Sequence, residues 1–433
     1  MAMAPGQVTY RKMKILHINT YDSGGAATGA IQQHQALLSA GINSEILFLA
    51  GTAGKVPQSA YYKKAVSSVA ERLLNKTGWF RGAAQQHQKR IRQLGRPFSE
   101  GGSYELFSSP YSPYQQLHNH PMVLNADLIN LHWISGFVDI PSFLKGIRKP
   151  VVWTLHDMYP YLGGFHYDID LQSNPQFDTI EDEYIQIKKN TLKDLHYAVA
   201  GNSNWNTSEA IKSKTLEYAT AFRTIYYPID PSSYNAIEKK TAKKSLNIDP
   251  DQIVLGFACE DLANPRKGLK LLINALNMLP TEVQSKLCCL TFGRQNQGLS
   301  LAAGDFIQLG SLDNPRIKSI AYSAMDYFAV PSIAEAFGLT AMEALTCETP
   351  VIAANVGGLP EIVNDHSNGF LFTANDHKSL LECITKALSL PASERLSMGK
   401  RGRSGILLKH DPAVTASEYL QLYKSLLHTC PAN

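Results

Sequence analysis

Cysteine is scarce in this chain. Six stand in 433 residues (Cys259, Cys288, Cys289, Cys347, Cys383 and Cys430), all in the second half, none in a CxxC spacing and most inside apolar runs. That argues against a disulfide frame or a thiolate zinc site and for reduced core residues in a cytoplasmic protein. Long apolar runs are missing as well. No uninterrupted stretch approaches the roughly 18 residues of a membrane-spanning helix. Residues Met1 to Lys12 lack the apolar core of a signal peptide and read as a disordered leader, with Met13 as an alternative start. The net charge of +4 is too small to argue for nucleic acid as a partner. No GxGxxG follows the first apolar run, which counts against a dehydrogenase. What remains is an ordinary globular composition in a chain long enough for two domains.

The most informative stretch runs from Asp326 to Glu361, DYFAVPSIAEAFGLTAMEALTCETPVIAANVGGLPE. An apolar run, Tyr327 to Val330, stops at Pro331-Ser332. After a loop, Phe337-Gly338-Leu339-Thr340 opens a helical pattern, and a second apolar run, Val351 to Ala354, breaks at Gly357-Gly358. Strand, loop, helix, strand is one unit of a parallel α/β sheet, whose ligands sit beyond the carboxyl ends of the strands. Glu335 in the loop and Glu343 eight residues later are separated by at most roughly 12 Å along a helix axis. They can hold opposite ends of one elongated ligand but are poorly placed to share a proton. Between them, the N–H groups of Phe337 to Thr340 make an anion site. Carboxylate, anion site, carboxylate suits a hydroxyl-rich group, a phosphate and a second hydroxyl-rich group in series, the layout of a nucleotide sugar.

The spacing Glu335-x7-Glu343, followed by Pro350-Val351-Ile352-Ala353 and Gly357-Gly358-Leu359-Pro360-Glu361, resembles family 4 retaining glycosyltransferases of the GT-B fold, of the kind that build bacterial cell-surface polysaccharide. Leu309-Gly310, Tyr322, Ala324, Asp326 and Pro331-Ser332 extend the likeness upstream. The resemblance implies that Glu335 contacts the donor sugar and that Glu343 binds the nucleotide ribose. It places the nucleotide base at the backbone of Leu309 and Gly310. It also implies that Lys267 of Lys267-Gly268 binds pyrophosphate. The family's upstream arginine is replaced here by Leu262, and Arg266, beside the lysine, is taken with it as a donor-binding residue.

In the first half, Lys14 to Asn19 reads as a strand, followed by Asp22-Ser23-Gly24-Gly25 and a helix ending near Leu38. A glycine-rich turn there lets backbone approach a phosphate. The resemblance implies donor phosphates at Gly24 and Gly25. Leu128 to Leu131 and Val151 to Leu155 are buried-type strands that end at His132 and His156, in crevice position. Thr154-Leu155-His156-Asp157 looks like the family motif whose histidine lies near donor sugar and acceptor. His156 is therefore taken as catalytic, with His132 and Asp157 on the acceptor side. Many relatives carry a cysteine-bearing loop after Gly-Gly-x-His. Here Gly163-Gly164-Phe165-His166 leads into a cysteine-free acidic stretch, Asp168 to Glu183. Its Asp168-Ile169-Asp170 is a three-residue metal motif of the other major glycosyltransferase fold, a weak signal, and no metal or cofactor is expected.

Residues 61–97 carry nine basic residues, from Lys63 to Arg96, against Glu71 alone, with Trp79 and Phe80 adjacent. This reads either as a solvated helical insertion or as a basic amphipathic surface meeting anionic lipid at the inner membrane face. Pro228-Ile229-Asp230-Pro231 and the lysine-rich Glu238 to Lys244 mark the domain boundary. The expected architecture is two Rossmann-like α/β domains facing across a cleft, 1–228 for the acceptor and 229–410 for the donor, with a terminal helix in 411–433 returning to the first. The expected function is retaining transfer of a sugar from a UDP- or GDP-sugar to a hydroxyl of a glycan or lipid-linked acceptor. Another GT-B enzyme, an epimerase or phosphorylase, and a non-catalytic nucleotide-sugar-binding partner are the alternatives.

Overall fold

The apolar runs become parallel strands hidden on both faces, which is why they read as near-continuous hydrophobic segments rather than alternating ones. In the computed structural model, which describes residues 13–63, 82–294 and 300–429, the chain forms two compact units. The leader, the basic segment 64–81 with Trp79 and Phe80, and Cys430 lie outside the described residues.

The first unit holds residues up to Asn202, then Thr207–Pro228 and Pro412 onward. Its sheet comprises β1 (Lys14–Tyr21), β2 (Asn43–Ala50), β3 (Ser59–Tyr61), β4 (Leu128–Leu131), β5 (Val151–Leu155), β6 (Tyr197–Gly201) and β7 (Phe222–Thr224). All pairings are parallel and the order is β3-β2-β1-β4-β5-β6-β7. The second unit, mainly Ile229–Asp411, holds β8 (Ile253–Asp261), β9 (Leu287–Arg294), β10 (Asp305–Gln308), β11 (Tyr327–Val330), β12 (Val351–Ala354) and β13 (Gly369–Phe372). Its order is β10-β9-β8-β11-β12-β13, again parallel. Each sheet reverses its winding once, between β1 and β4 and between β8 and β11. At such a reversal the loops diverge and leave a crevice beyond the strand ends.

The short strands β3, β7 and β13 lack a long apolar run and are not evident from sequence. The lysine-rich stretch after the linker is a helix, Lys239–Ser245, capped by the Glu238 carboxylate, which accepts from the N–H groups of Lys240 and Thr241. Lys243 on that helix is buried and bonds Asp326 at 2.8 Å, just ahead of β11. The basic segment is described in part. Helix Ala83–Leu94 seats Ile91 in the core and pairs Arg90 with Glu183, while Lys89, Arg92 and Arg96 face solvent. The described cysteines are all free thiols, and burial pushes Cys259, Cys288 and Cys347 up to about 12, so they are inert.

Helix Pro412–Thr429 belongs to the first unit. Tyr419, Leu422, Tyr423 and Leu426 pack in one cluster with Ile15, Leu37, Leu128 and Val152, and Gln33 donates to the Tyr423 hydroxyl at 2.9 Å. Leu422→Ala should cost about 2–5 kcal/mol as a buried leucine truncation. Tyr423→Phe should cost about 1–3 kcal/mol by leaving a buried amide without its acceptor. Urea unfolding measures both.

Candidate functional site

In the second unit the site is built from the two loops at the β8/β11 reversal. After β8, Asn264 accepts from the Arg266 N–H (3.0 Å) and starts a tight turn, Pro265–Lys267. Gly268 ends it at φ 79°, where a Cβ would lie 2.1 Å from the Pro331 carbonyl oxygen. Only glycine lets the two loops approach this closely. The Ile333 N–H then donates to Arg266 O, and Arg266 Nη1 donates to Ala334 O at 2.8 Å. Arg266 is thus buried and clamps the loop that carries Glu335, with its guanidinium 4.0 Å from that carboxylate. Arg266, expected among the donor-binding residues, thus turns inward to that loop. Lys267 reaches further out and bonds Glu335 Oε2 at 2.6 Å, with the lysine side chain 25 % and the glutamate 12 % exposed.

The third wall comes from Gly357-Gly358. A Cβ at Gly357 would strike Glu335 O at 1.8 Å, and the Gly358 N–H donates to that same oxygen. The glycine pair therefore lets the loop after β12 back directly onto the loop bearing Glu335. The helix begins later than the sequence implies. Gly338, at φ 108°, is its N-cap and Leu339–Thr346 its body, while the Phe337 ring is buried edge-on to His410. The first-turn N–H groups are those of Leu339, Thr340 and Ala341, so the anion-binding end shifts off Phe337.

Glu343 departs most from expectation. It is buried, and its two oxygens accept from Tyr234 (2.7 Å) and Tyr322 (2.8 Å), with Lys318 at 3.7 Å. Burial, reinforced by the Glu343 charge, holds both phenols far above their ordinary value, so both stay protonated donors. Glu343 thus does not stand open as a mate to Glu335. Leu309 and Gly310 sit beyond β10, tied to β9 by Leu309 N–H to Thr291 O and Gly293 N–H to Gly310 O, each 2.9 Å.

In the first unit, Gly24 (φ 92°) caps helix Gly25–Ser39, and Gly25 faces open space. At the β1/β4 reversal, four side chains form a buried row. His17 Nδ1 lies 2.8 Å from His132 Nε2, His132 Nδ1 lies 2.9 Å from His156 Nε2, and His156 Nδ1 lies 2.5 Å from the Tyr227 hydroxyl. Asn130 bridges the first two rings. Both ring nitrogens of His132 and of His156 are therefore engaged within the protein. His156, expected to be catalytic, thus has its two nitrogens bonded to His132 and Tyr227. Burial lowers the pKa of His17, His132 and His156, to about 4 for His156, where the Asp157 charge opposes the shift. The rings are neutral at pH 7.

Asp157 heads a second row. One of its oxygens accepts from Trp133 Nε1 (2.9 Å) and bonds His166 Nδ1 (2.6 Å), and His166 Nε2 meets Ser108 Oγ at 2.9 Å. This is the order of a nucleophilic triad. Ser108 is buried, however, and also bonds Ser135 Oγ at 2.5 Å, so the row is a strut. The loop between Asp157 and His166 is held from helix Asp178–Leu192, which starts inside the cysteine-free acidic stretch Asp168 to Glu183. Glu181 accepts from the N–H groups of Gly163 (2.5 Å) and Gly164 (2.7 Å), and Lys188 donates to Tyr159 O and Leu162 O. Burial pulls the Lys188 ammonium well below its ordinary value. Asp170 is buried and accepts from the Glu105 N–H at 3.0 Å. Sequence reasoning missed His17, Tyr227 and Tyr234, and gave no role to Trp133, Glu181, Lys188 or the His166 ring. The one signal was polar residues inside apolar strands, such as His17 and Asn130.

Residues 238–405 match the model of the family described as Glycosyl transferases group 1, a span that contains all six strands of the second sheet, Lys267, Glu335 and Glu343. The chain is 30 % identical over 202 residues to a D-inositol 3-phosphate glycosyltransferase of Segniliparus rotundus, a match covering 41 % of this chain and 44 % of that relative. The chain thus spans less than half the length of that curated relative. A protein of the same name from Thermobifida fusca is 25 % identical over 70 % of each chain. Among solved structures, sucrose-phosphate synthase from Thermosynechococcus elongatus matches over 96 % of this chain and all of that one, with TM-score 0.69 and 20 % identity. Anabaena Alr3699/HepE in complex with UDP-glucose matches over 95 % of this chain and all of that one, with TM-score 0.65 and 18 % identity. The fold is therefore GT-B, two Rossmann-like domains.

The neutral histidine row makes stability depend on pH. The folded pKa values lie below the unfolded value of 6.5, so the unfolded state binds more protons in that window. The row's stability is full above pH 6.5 and is lost as pH falls toward 4. Each ring contributes up to about 1.4 kcal/mol per pH unit. Thermal melts between pH 7.5 and 5 should fall steeply, and His17→Phe with His132→Asn should flatten the fall.

Proposed function

We propose that the protein is a retaining glycosyltransferase that moves a sugar from a nucleotide diphosphate sugar to a hydroxyl acceptor. The observation carrying this reading is the Lys267–Glu335 pair at the β8/β11 reversal, beside the helix start at Gly338. Each partner supplies the other's countercharge. A nucleotide sugar offers both replacements together, phosphate oxygens for Lys267 and sugar hydroxyls for Glu335. The first-turn N–H groups from Leu339 onward add donors for the phosphates. Leu309 and Gly310 take the base. Glu343 meets a ribose only through lone pairs left after its two tyrosine bonds, since an ionised carboxylate has about four acceptor sites.

In the transfer, the bond between the sugar's anomeric carbon and the phosphate oxygen breaks, and the acceptor oxygen bonds that carbon on the same face. The acceptor's proton passes to the departing phosphate oxygen, and a nucleoside diphosphate leaves. No protein nucleophile is assigned. His156 contributes as a fixed ring beside Asp157, its plane set by His132 and Tyr227. Lys267 and the helix start offset the pyrophosphate charge, so no divalent metal is needed. The likeness to the Anabaena protein, which was solved in complex with UDP-glucose, favours a UDP-sugar donor. A glycan acceptor, lipid-linked in cell-surface polysaccharide synthesis at the inner membrane face, belongs to the same proposal. So does contact of residues 63–96 with anionic lipid, supported by the exposed Lys89, Arg92 and Arg96. No described helix is long and apolar enough to cross a membrane.

Lys267→Ala should weaken UDP or GDP roughly ten- to hundredfold, the worth of a charge-assisted bond. Glu335→Gln should leave diphosphate affinity near wild type and lower turnover. Calorimetry and initial rates separate the two, and an unchanged diphosphate affinity for Lys267→Ala overturns the assignment. Turnover should persist in EDTA. Loss that Mn²⁺ restores would refute metal independence.

A further inference from the structure

The first unit carries a ladder of aromatic rings that runs from a buried cation to open surface. Lys188 Nζ lies 3.7 Å from the centre of the Tyr159 ring. Tyr159 stacks on His166 at 4.9 Å with 8° between planes, and His166 meets Trp133 at 5.5 Å. Trp133 in turn meets Tyr21 at 5.8 Å and 36°. Tyr21, the last residue of β1, is 49 % exposed, and Trp133, two residues beyond β4, is half-buried. The exposed end therefore stands at the β1/β4 reversal.

An exposed aromatic alone means little. This one is unusual because its neighbour is fixed on every polar atom. The Trp133 backbone N–H donates to Asn19 Oδ1 at 2.8 Å, its carbonyl accepts from the Thr20 N–H at 2.8 Å, and its indole N–H donates to Asp157 Oδ2 at 2.9 Å. Asn19 also donates to the Tyr21 carbonyl at 2.6 Å. A side chain so restrained holds the exposed Tyr21 ring beside it in place without further loss of freedom on binding, which is what a recognition surface needs.

We infer that Tyr21 and Trp133 form a stacking subsite for a neutral pyranose ring of a glycan acceptor, an assignment that rests on the transferase reading for the word acceptor. The ring faces are electron-rich, and the carboxylate on the indole N–H enriches that of Trp133 further. The polarised C–H face of a sugar is the complementary partner. A phosphate-bearing acceptor fits less well, because the Asp157 carboxylate bonded to the indole N–H repels it.

The test uses the full chain without donor. A panel of methyl pyranosides (gluco, galacto and manno) is titrated while the Trp133 indole N–H resonance, assigned with Trp133→Phe, is followed. Inorganic phosphate serves as the charged control. At least one glycoside should shift that resonance and phosphate should not. Tyr21→Ala should weaken the glycoside roughly two- to tenfold, the value of one aromatic contact, and Tyr21→Phe should retain it. The inference fails if no glycoside moves the resonance, if phosphate moves it, or if Tyr21→Ala binds as tightly as wild type. Saccharide binding needs no donor, so it survives a failure of the transferase reading. Conversely, transfer with an unchanged acceptor KM in Tyr21→Ala would remove the subsite and leave the transferase reading intact.

Discussion

A parallel sheet must hide both faces, and that constraint governs where this protein can do chemistry. Helices cover the faces, so only the carboxyl edge of the strands stays open, and it opens widest where the winding reverses. The chain meets this condition twice. At β8/β11 it places Lys267 and Glu335, and at β1/β4 it places Asn19, Tyr21, His132 and Trp133. Buried groups such as Arg266 and His17 serve to hold those loops where the sheets leave them.

The two units hold their loops by different means. In the second, close backbone approach does it. Gly268, Gly357 and Gly358 remove side chains where carbonyl oxygens lie within 2.5 Å of an added Cβ, and the buried Arg266 ties the loop bearing Glu335 from inside. In the first, buried hydrogen-bonded rows do it. A row of neutral imidazoles can satisfy its members with one proton per junction. An added proton leaves two donors facing each other across one contact. Burial keeps these rings neutral, and neutrality is what lets them bond one another.

Most strands were legible because buried parallel strands are apolar runs, and Tyr327 to Val330 and Val351 to Ala354 are found where the pattern puts them. The glycine-marked loops were legible for the same reason, since glycine at φ 108° or 79° signals a turn that other residues rarely make. What stayed hidden was partnership across long sequence distance. Glu343 looked like an open carboxylate because Tyr234 lies 109 residues away, and His156 looked available because Tyr227 and His132 reach it from other elements. Arg266 seemed a neighbour to Lys267 in role because it is its neighbour in sequence. In a tight turn adjacent side chains diverge, and here one points inward and one outward.

The loop between Asp157 and His166 shows how an acidic stretch can restrain the loop that precedes it. Gly163-Gly164-Phe165-His166 is followed by the acidic stretch Asp168 to Glu183. Helix Asp178–Leu192 supplies the restraint. Glu181 and Lys188, two turns apart on one face, bind the loop's N–H groups and its carbonyls respectively. An acceptor-only group and a donor-only group together satisfy both kinds of backbone atom, which neither could do alone. Burying a charged pair is expensive unless its remaining bonding capacity is used, and the loop's backbone uses it. The acidic stretch is therefore the source of the clamp. Asp157, Trp133 and the ring ladder keep their places because that helix holds the loop beneath them.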